Sequence, residues 1–260
     1  MMTDSLKRST DESIGIIELT RPEKFNCLST ATLNAIDEAR AAFEADQTVR
    51  VILIRSQGKH FCTGADLEEV KGIKDSTVEL DKFIAGGQAT LMRLEASPLP
   101  VVVAVQGLCL AGGIELMLSG DICIAADSAR FGDQHAQFGL IPGWGGSQRL
   151  TRILGLRRAL DLFFSGRWMN AAEAEAAGLV NKVVPEDTLG DAAMAYCNGL
   201  AAHSRVGLGE MKRLARDGLD LPLAAAMRLE RDAVVRHIQS ADAAEGLSAF
   251  EERRTPVFGR

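Results

Sequence analysis

Little in this chain points toward metal, disulfide or nucleic-acid chemistry. Its five cysteines (Cys27, Cys62, Cys109, Cys123, Cys197) are odd in number, widely spaced and without a Cys-x-x-Cys pair, so they read as free thiols of a reducing compartment. The four histidines (His60, His135, His203, His237) show neither His-x-x-x-His nor Glu-x-x-His spacing, and no metal is expected. Basic excess is missing as well. With a formal net charge of −6, any anionic ligand must be met by a few placed Lys and Arg residues, so neither nucleic acid nor an anionic membrane is an expected partner. Met1 to Ser13 hold no apolar run of the kind a secretory signal needs, which leaves a cytoplasmic location as the expectation. Leu99 to Leu118 is apolar enough to raise a membrane span, but Pro100, Gln106, Gly107, Gly112, Gly113 and Glu115 interrupt it. A strand, a glycine turn and a buried helix account for that run better.

What is present is the material of a large buried core: 47% of the 260 residues are hydrophobic. Short β-branched runs alternate with helical patterns, beginning with Ile14 to Leu19, a helix carrying Leu33, Ile36, Ala39 and Phe43 on one stripe, and Val51 to Ile54. The alternation continues through a helix around Leu80 to Leu94, a strand Val101 to Val105, a helix from about Gly113, a strand Cys123 to Ala126 and a strand near Val180 to Val184. This predicts an α/β layered core. Val101 to Val105 has no polar alternation, as expected of a strand covered on both faces. After Pro185 the pattern is helical to about Arg253, which suggests a lid or a subunit-contact layer.

Three stretches place glycines beside charged residues in apolar surroundings, each at the expected end of a strand, where α/β proteins hold ligands. They are Phe61 to Leu67 (Phe-Cys-Thr-Gly-Ala-Asp-Leu), Gln106 to Glu115, and Ile141 to Arg149. In the second, Gly112-Gly113 would open a helix and leave unpaired N–H groups and the positive end of the helix dipole facing a pocket, where a developing negative oxygen is stabilised. Taken alone the pair is also a tight turn packing a helix on a sheet. A phosphate cradle fits worse, since no Gly-x-x-x-x-Gly-Lys occurs.

Taken together, these stretches resemble the crotonase superfamily, the enoyl-CoA hydratase/isomerase family, over about Ile16 to Phe258. The resemblance is carried by Arg21-Pro22-Glu23-Lys24-Phe25-Asn26, the Thr-Gly-Ala-Asp-Leu turn, Ala-Gly-Gly-Ile-Glu ending at Glu115, Asp121 to Ala126, and Ala129-Arg-Phe-Gly. Further along come Gly139-Leu-Ile-Pro-Gly with Ser147-Gln-Arg-Leu, Ala172 to Val180, and Phe250-Glu-Glu-Arg-Arg. It implies an α/β spiral of β-β-α turns over residues 1–190, which holds an acyl-CoA site. A helical region over 191–260 would serve oligomer contacts and pocket closure, in homotrimers or hexamers built as dimers of trimers. No prosthetic group is implied; coenzyme A enters as part of the thioester substrate.

By the same resemblance, the backbone N–H groups of Ala65 and Gly112 form an oxyanion hole, and Glu115 falls on the first of two glutamates that position and activate water. His135 stands where hydratases carry the second, with Asp133 two residues before it. In an extended segment those two would share a face, so Asp133 could orient His135. Lys24 and Arg253 match regions that contact coenzyme A, Arg253 from a neighbouring subunit; each also reads as a solvated charge. Asp66 and Leu67 adjoin Ala65, with Asp66 favoured as a turn cap over a catalyst. Trp144 would wall the acyl pocket or sit in the core. The expected reaction is hydration of a 2-enoyl-CoA. The alternatives are isomerisation, hydrolysis of a β-keto carbon–carbon bond, and acyl-CoA binding without chemistry.

Overall fold

A computed structural model describes residues 2–3 and 5–259. The chain starts with three antiparallel strands, β1 (Met2–Thr3), β2 (Leu6–Asp11) and β3 (Ile14–Leu19), followed by α1 (Thr30–Ala45) and β4 (Val51–Ser56). Then come α2 (Leu67–Ile73), α3 (Thr77–Glu95), β5 (Val101–Val105), β6 (Leu108–Leu110), α4 (Gly112–Leu118), β7 (Ile122–Ala126) and β8 (Arg130–Gly132). Two helices, α5 (Gly146–Leu154) and α6 (Leu156–Ser165), precede β9 (Met169–Asn170), α7 (Ala171–Ala176) and β10 (Lys182–Val184). Four helices finish the chain: α8 (Leu189–Ala201), α9 (Arg205–Leu219), α10 (Leu223–His237) and α11 (Ala241–Glu251).

The strands form two sheets, one of seven in the order β1-β2-β3-β4-β5-β7-β10 and one of three in the order β6-β8-β9. From β3 onward the large sheet is parallel, so each added strand requires the chain to leave the sheet and return. On the way, β6 and β8 pair in parallel as a second layer, which makes successive β-β-α turns of a spiral. The first two glycine stretches lie at these crossings, joined by a bridge between Cys62 and Cys109, and the third leads from β8 into α5.

Burial explains the hydrophobic runs. Val101, Val103 and Val105 enter one core with Ile52 and Ile54, while Val102 and Ala104 enter a second core with Val51 and Leu53. Helices α1 and α3 cover the first face; α1 begins where Ser29 Oγ accepts the Thr32 N–H, and its Leu33, Ile36, Ala39 and Phe43 are all buried. Leu189, Ala193, Cys197 and Ala201 of α8 cover the second. The helical region after residue 190 therefore has two parts, α8 packed on the sheet and α9 to α11 beyond it. Among the described residues, no helix is long and apolar enough to cross a membrane.

Tight contact between layers fixes α4. A Cβ at Gly113 would lie 2.2 Å from the Cys62 carbonyl oxygen, a backbone atom that already accepts the Leu110 N–H and cannot swing aside. Gly113→Ala is expected to cost about 1–3 kcal/mol and lower the thermal unfolding midpoint by several degrees. Gly199→Ala in α8, where no atom lies within 4 Å of the added carbon, is the control; replacing a helical glycine there is expected to leave Tm unchanged or raise it by the equivalent of roughly 0.5–1 kcal/mol. Equal Tm values for the two variants would contradict the contact.

Candidate active site

Two backbone segments from neighbouring turns touch at the centre of the site. A Cβ at Gly64 (φ 107°) would lie 3.0 Å from the Gly112 nitrogen, and one at Gly112 would lie 3.1 Å from the Gly64 Cα and 2.8 Å from the Trp144 ring. Leu28 bridges to the first segment, its N–H donating to the Gly64 carbonyl (2.8 Å) and its own carbonyl accepting the Asp66 N–H (2.9 Å). The intervening Ala65 N–H consequently points the other way. On the second segment, Gly112 is the first residue of α4, so its N–H has no carbonyl a turn earlier to bond. Neither amide has a hydrogen-bond partner among the described residues.

The unusual backbone conformation falls on Ala111, not on the glycines after it. Ala111 has φ 48° and ψ −119°, held by its N–H donating to the Gly132 carbonyl (3.0 Å), a conformation that costs a non-glycine residue of order 1–3 kcal/mol. Gly112 and Gly113 supply space, and Ala111 supplies the turn.

Beside these segments lies a cavity of about 630 Å³ whose walls include Lys24, Ala65, Asp66, Leu67, Ala111 and His135. Lys24 is exposed and paired with Glu68 (2.7 Å), an ion pair whose net worth in water is small. Asp66 caps α2 by accepting the Glu68 N–H and receives the Arg21 guanidinium at 3.3 Å, so the cap reading holds. Trp144 does not wall this cavity: it is 2% exposed and packs in the core against Phe83, Gly87 and Gly112. Arg253 lies beyond the end of α11, exposed and off the cavity of its own chain.

Glu115 sits in the first turn of α4, 2% exposed. Its Oε1 accepts the Trp144 N–H and the Gly146 N–H, both at 2.7 Å, which leaves Oε2 without a partner among the described residues. Burial pushes its carboxyl above the usual carboxylate range, offset in part by the Gly146 amide, the charge of His135 and the Trp144 amide. The result is a carboxylate fixed through one oxygen, not merely a cap for its own helix.

His135 lines the cavity, and its Nδ1 lies 3.0 Å from Oδ2 of the buried Asp133. The pairing is as expected, but the geometry differs: Gln134 is left-handed (φ 61°) and His135 opens a 3-10 turn, so the contact is a tight local bend instead of a shared strand face. The Asp133 Oδ1 also accepts the His135 N–H at 3.3 Å. Burial opposes protonation of the ring, but the Asp133 hydrogen bond and charge, with Glu115, outweigh it and raise the His135 pKa above the ordinary 6.5. Both His135 and Glu115 therefore favour the protonated form in the fold. Their contribution to stability is present below the unfolded pKa and is lost as pH rises through the raised value.

Further cavity residues escape the sequence reading: Phe25, Cys27, Leu110, Phe138, Leu140 and Trp168. Phe25 lies within the Arg21 to Asn26 motif, where left-handed backbone at Phe25 and Asn26 and the buried Asn26 side chain, bonded to the carbonyls of Gln57 and His60, fix its position. Phe138 and Leu140 lie between Asp133 and Pro142, and their 70% and 48% exposure marks them as apolar groups left open beside the site. For Trp168, no signal in the sequence separates a cavity wall from a core residue.

The layered spiral and the meeting of two amide-bearing turns define an α/β fold of the crotonase type. Residues 9–260 match the family described as Enoyl-CoA hydratase/isomerase. A probable enoyl-CoA hydratase of Mycobacterium tuberculosis is 36% identical over 258 residues, covering 99% of both chains. The human mitochondrial enoyl-CoA hydratase domain-containing protein 2 is 37% identical over 256 residues, 95% of this chain and 86% of that one. Among solved structures, an enoyl-CoA hydratase from Bacillus anthracis superposes with TM-score 0.93 at 32% identity, covering 98% of each chain. The chain belongs to the enoyl-CoA hydratase/isomerase family, and it is an enzyme of that kind, one that processes acyl-CoA thioesters.

The Asp133–His135 contact is measurable in solution. In a proton-detected NMR titration the His135 ring should titrate above 6.5, and Asp133→Asn should move its midpoint downward, because both the hydrogen bond and the charge that favour the imidazolium are lost. A midpoint unmoved by the substitution would mean that the pairing is absent in solution.

Proposed function

We propose that the enzyme adds water across the double bond of a 2-enoyl-CoA. The thioester carbonyl oxygen accepts the Ala65 and Gly112 N–H groups, which stabilise the enolate oxyanion formed as the water oxygen bonds to Cβ. Donors preorganised in this way typically contribute about 3–4 kcal/mol each to the transition state. Glu115, ionised, takes the proton from that water through its free Oε2. His135, protonated and standing in place of a second glutamate, delivers a proton to Cα as the enolate collapses, with Asp133 holding the ring. The water leaves one proton on Glu115 and His135 gives one to Cα, so the cycle closes when the proton on Glu115 passes to His135, relayed by an entering water that itself gains and loses one proton.

The observation that carries this reading is the complementary anchoring of the two side chains. Glu115 is tied by one oxygen and His135 by one ring nitrogen, so each keeps one unpartnered atom for proton transfer. Each also favours the opposite charge on the other. Double-bond migration would use the same pair, with protons leaving one carbon and returning to another, and differs by adding no water. Lys24 at the cavity rim is available for the phosphates of coenzyme A, as is Arg253 from a second copy of the chain. Exposed apolar residues on the last three helices, among them Met211, Leu219, Leu223 and Phe250, support assembly as trimers or dimers of trimers through the region after residue 190. The five free thiols, four of them buried, fit a reducing compartment such as the cytoplasm.

Assay against 2-enoyl-CoA esters of graded length and branching is expected to show loss of the conjugated thioester absorbance and a product heavier by one water. Glu115→Gln is expected to lower kcat by about 10²- to 10⁴-fold with little change in KM. Products of unchanged mass would assign isomerisation instead. Turnover untouched by Glu115→Gln would overturn the role given to that carboxylate.

A further inference from the structure

Two amides hold the Glu115 carboxylate, and those amides belong to a segment that is itself clamped. The Trp144 and Gly146 N–H groups converge on Glu115 Oε1 because Gly145 between them is left-handed (φ 105°). The peptide lying between the two donors turns its carbonyl, that of Trp144, away from Glu115 and toward Arg149, whose Nη1 donates to it at 2.6 Å. Arg149 is in turn fixed by a two-pronged ion pair with Glu95 at the end of α3, Nε to Oε1 at 2.8 Å and Nη2 to Oε2 at 2.6 Å. Both side chains are largely covered, at 14% and 21% exposure, so the pair is shielded enough to be held in one geometry. Space enforces the arrangement from both sides. A Cβ at Gly145 would lie 2.1 Å from Arg149 Nη1, and one at Gly146 would lie 3.2 Å from Glu115 Oε1.

We infer that Arg149, oriented by Glu95, is a positioning residue for Glu115: by fixing the Trp144 carbonyl it sets the aim of the two amides that hold the carboxylate. This rests on the acid–base reading of Glu115 given above and extends it to residues that touch no substrate. Its consequence is electrostatic as well as geometric. The two amides, together with the charge of His135, favour the ionised carboxylate against the burial and the Asp133 charge that disfavour it. Loosening the clamp therefore weakens the side that lowers the Glu115 pKa and leaves the burial in place. Lysine cannot replace the arginine fully, because one ammonium cannot serve the Glu95 carboxylate in two-pronged fashion and the Trp144 carbonyl at the same time.

The test measures pH profiles of kcat/KM for Arg149→Met, Arg149→Lys and Glu95→Gln, with thermal unfolding of each. Arg149→Met is expected to lower kcat about tenfold to a hundredfold with little change in KM, and to move the acid limb of the profile to higher pH. Arg149→Lys should recover part of both effects, and Glu95→Gln should shift the limb in the same direction by less, so the inference stays testable if Arg149→Met does not fold. A lower Tm with an unmoved acid limb and unchanged kcat would reduce Arg149 to a structural residue and overturn the inference. Glu115→Gln measured alongside separates the two readings. If it leaves turnover intact, the role of Glu115 falls; if it abolishes turnover while the Arg149 and Glu95 variants keep the parent pH profile, the positioning role falls alone.

Discussion

Backbone-to-backbone contact between two turns of the spiral is the constraint on which the rest of the site depends. Gly64 and Gly112 approach so closely that neither could carry a Cβ without displacing the other segment. The approach is possible because each turn returns to the large sheet in register, β4 beside β5 and β5 beside β7, which stacks the crossings above one another. Free amides then arise from ordinary causes. A parallel bridge uses every other N–H, which leaves that of Ala65, and a helix start leaves its first N–H, that of Gly112. Such a pair of free amides needs no dedicated side chain, only a set distance between two layers.

Buried charge beside the cavity is held by peptide dipoles and by pairs. Glu115 is almost completely buried, yet its ionised form is supported by amides at the start of α5, and His135 is supported by Asp133. Both groups move upward, Glu115 chiefly through burial and His135 through Asp133 against burial, with a smaller attraction between the two.

Much of the architecture was legible from periodicity. The α1 stripe and the unbroken run Val101 to Val105 reported burial on one face and on two faces, and both are as expected. Strand β2 was not legible, because only Leu6 among its residues is buried and the others read as a polar segment. The start of α5 was hidden by its cap, a left-handed Gly145 with no capping side chain, so the glycine stretch looked like loop where half of it is helix. At the site, Asp133 and His135 were brought together as anticipated, through a bend at Gln134 that no alternation pattern encodes. For Trp144 the sequence left wall and core open, because it shows a large aromatic beside glycines but not the side of the backbone on which its ring packs; the ring packs in the core.

Ala111 combines a left-handed backbone with a place on the cavity wall. Two demands therefore act on one position. Glycine would adopt the same angles without penalty but would let the following amide sample many orientations before any ligand arrived. A longer side chain would bear the same torsional cost and extend into the cavity. A methyl group is the compromise between rigidity and room, which makes this inconspicuous residue a gauge of how much clearance the cavity keeps at that wall.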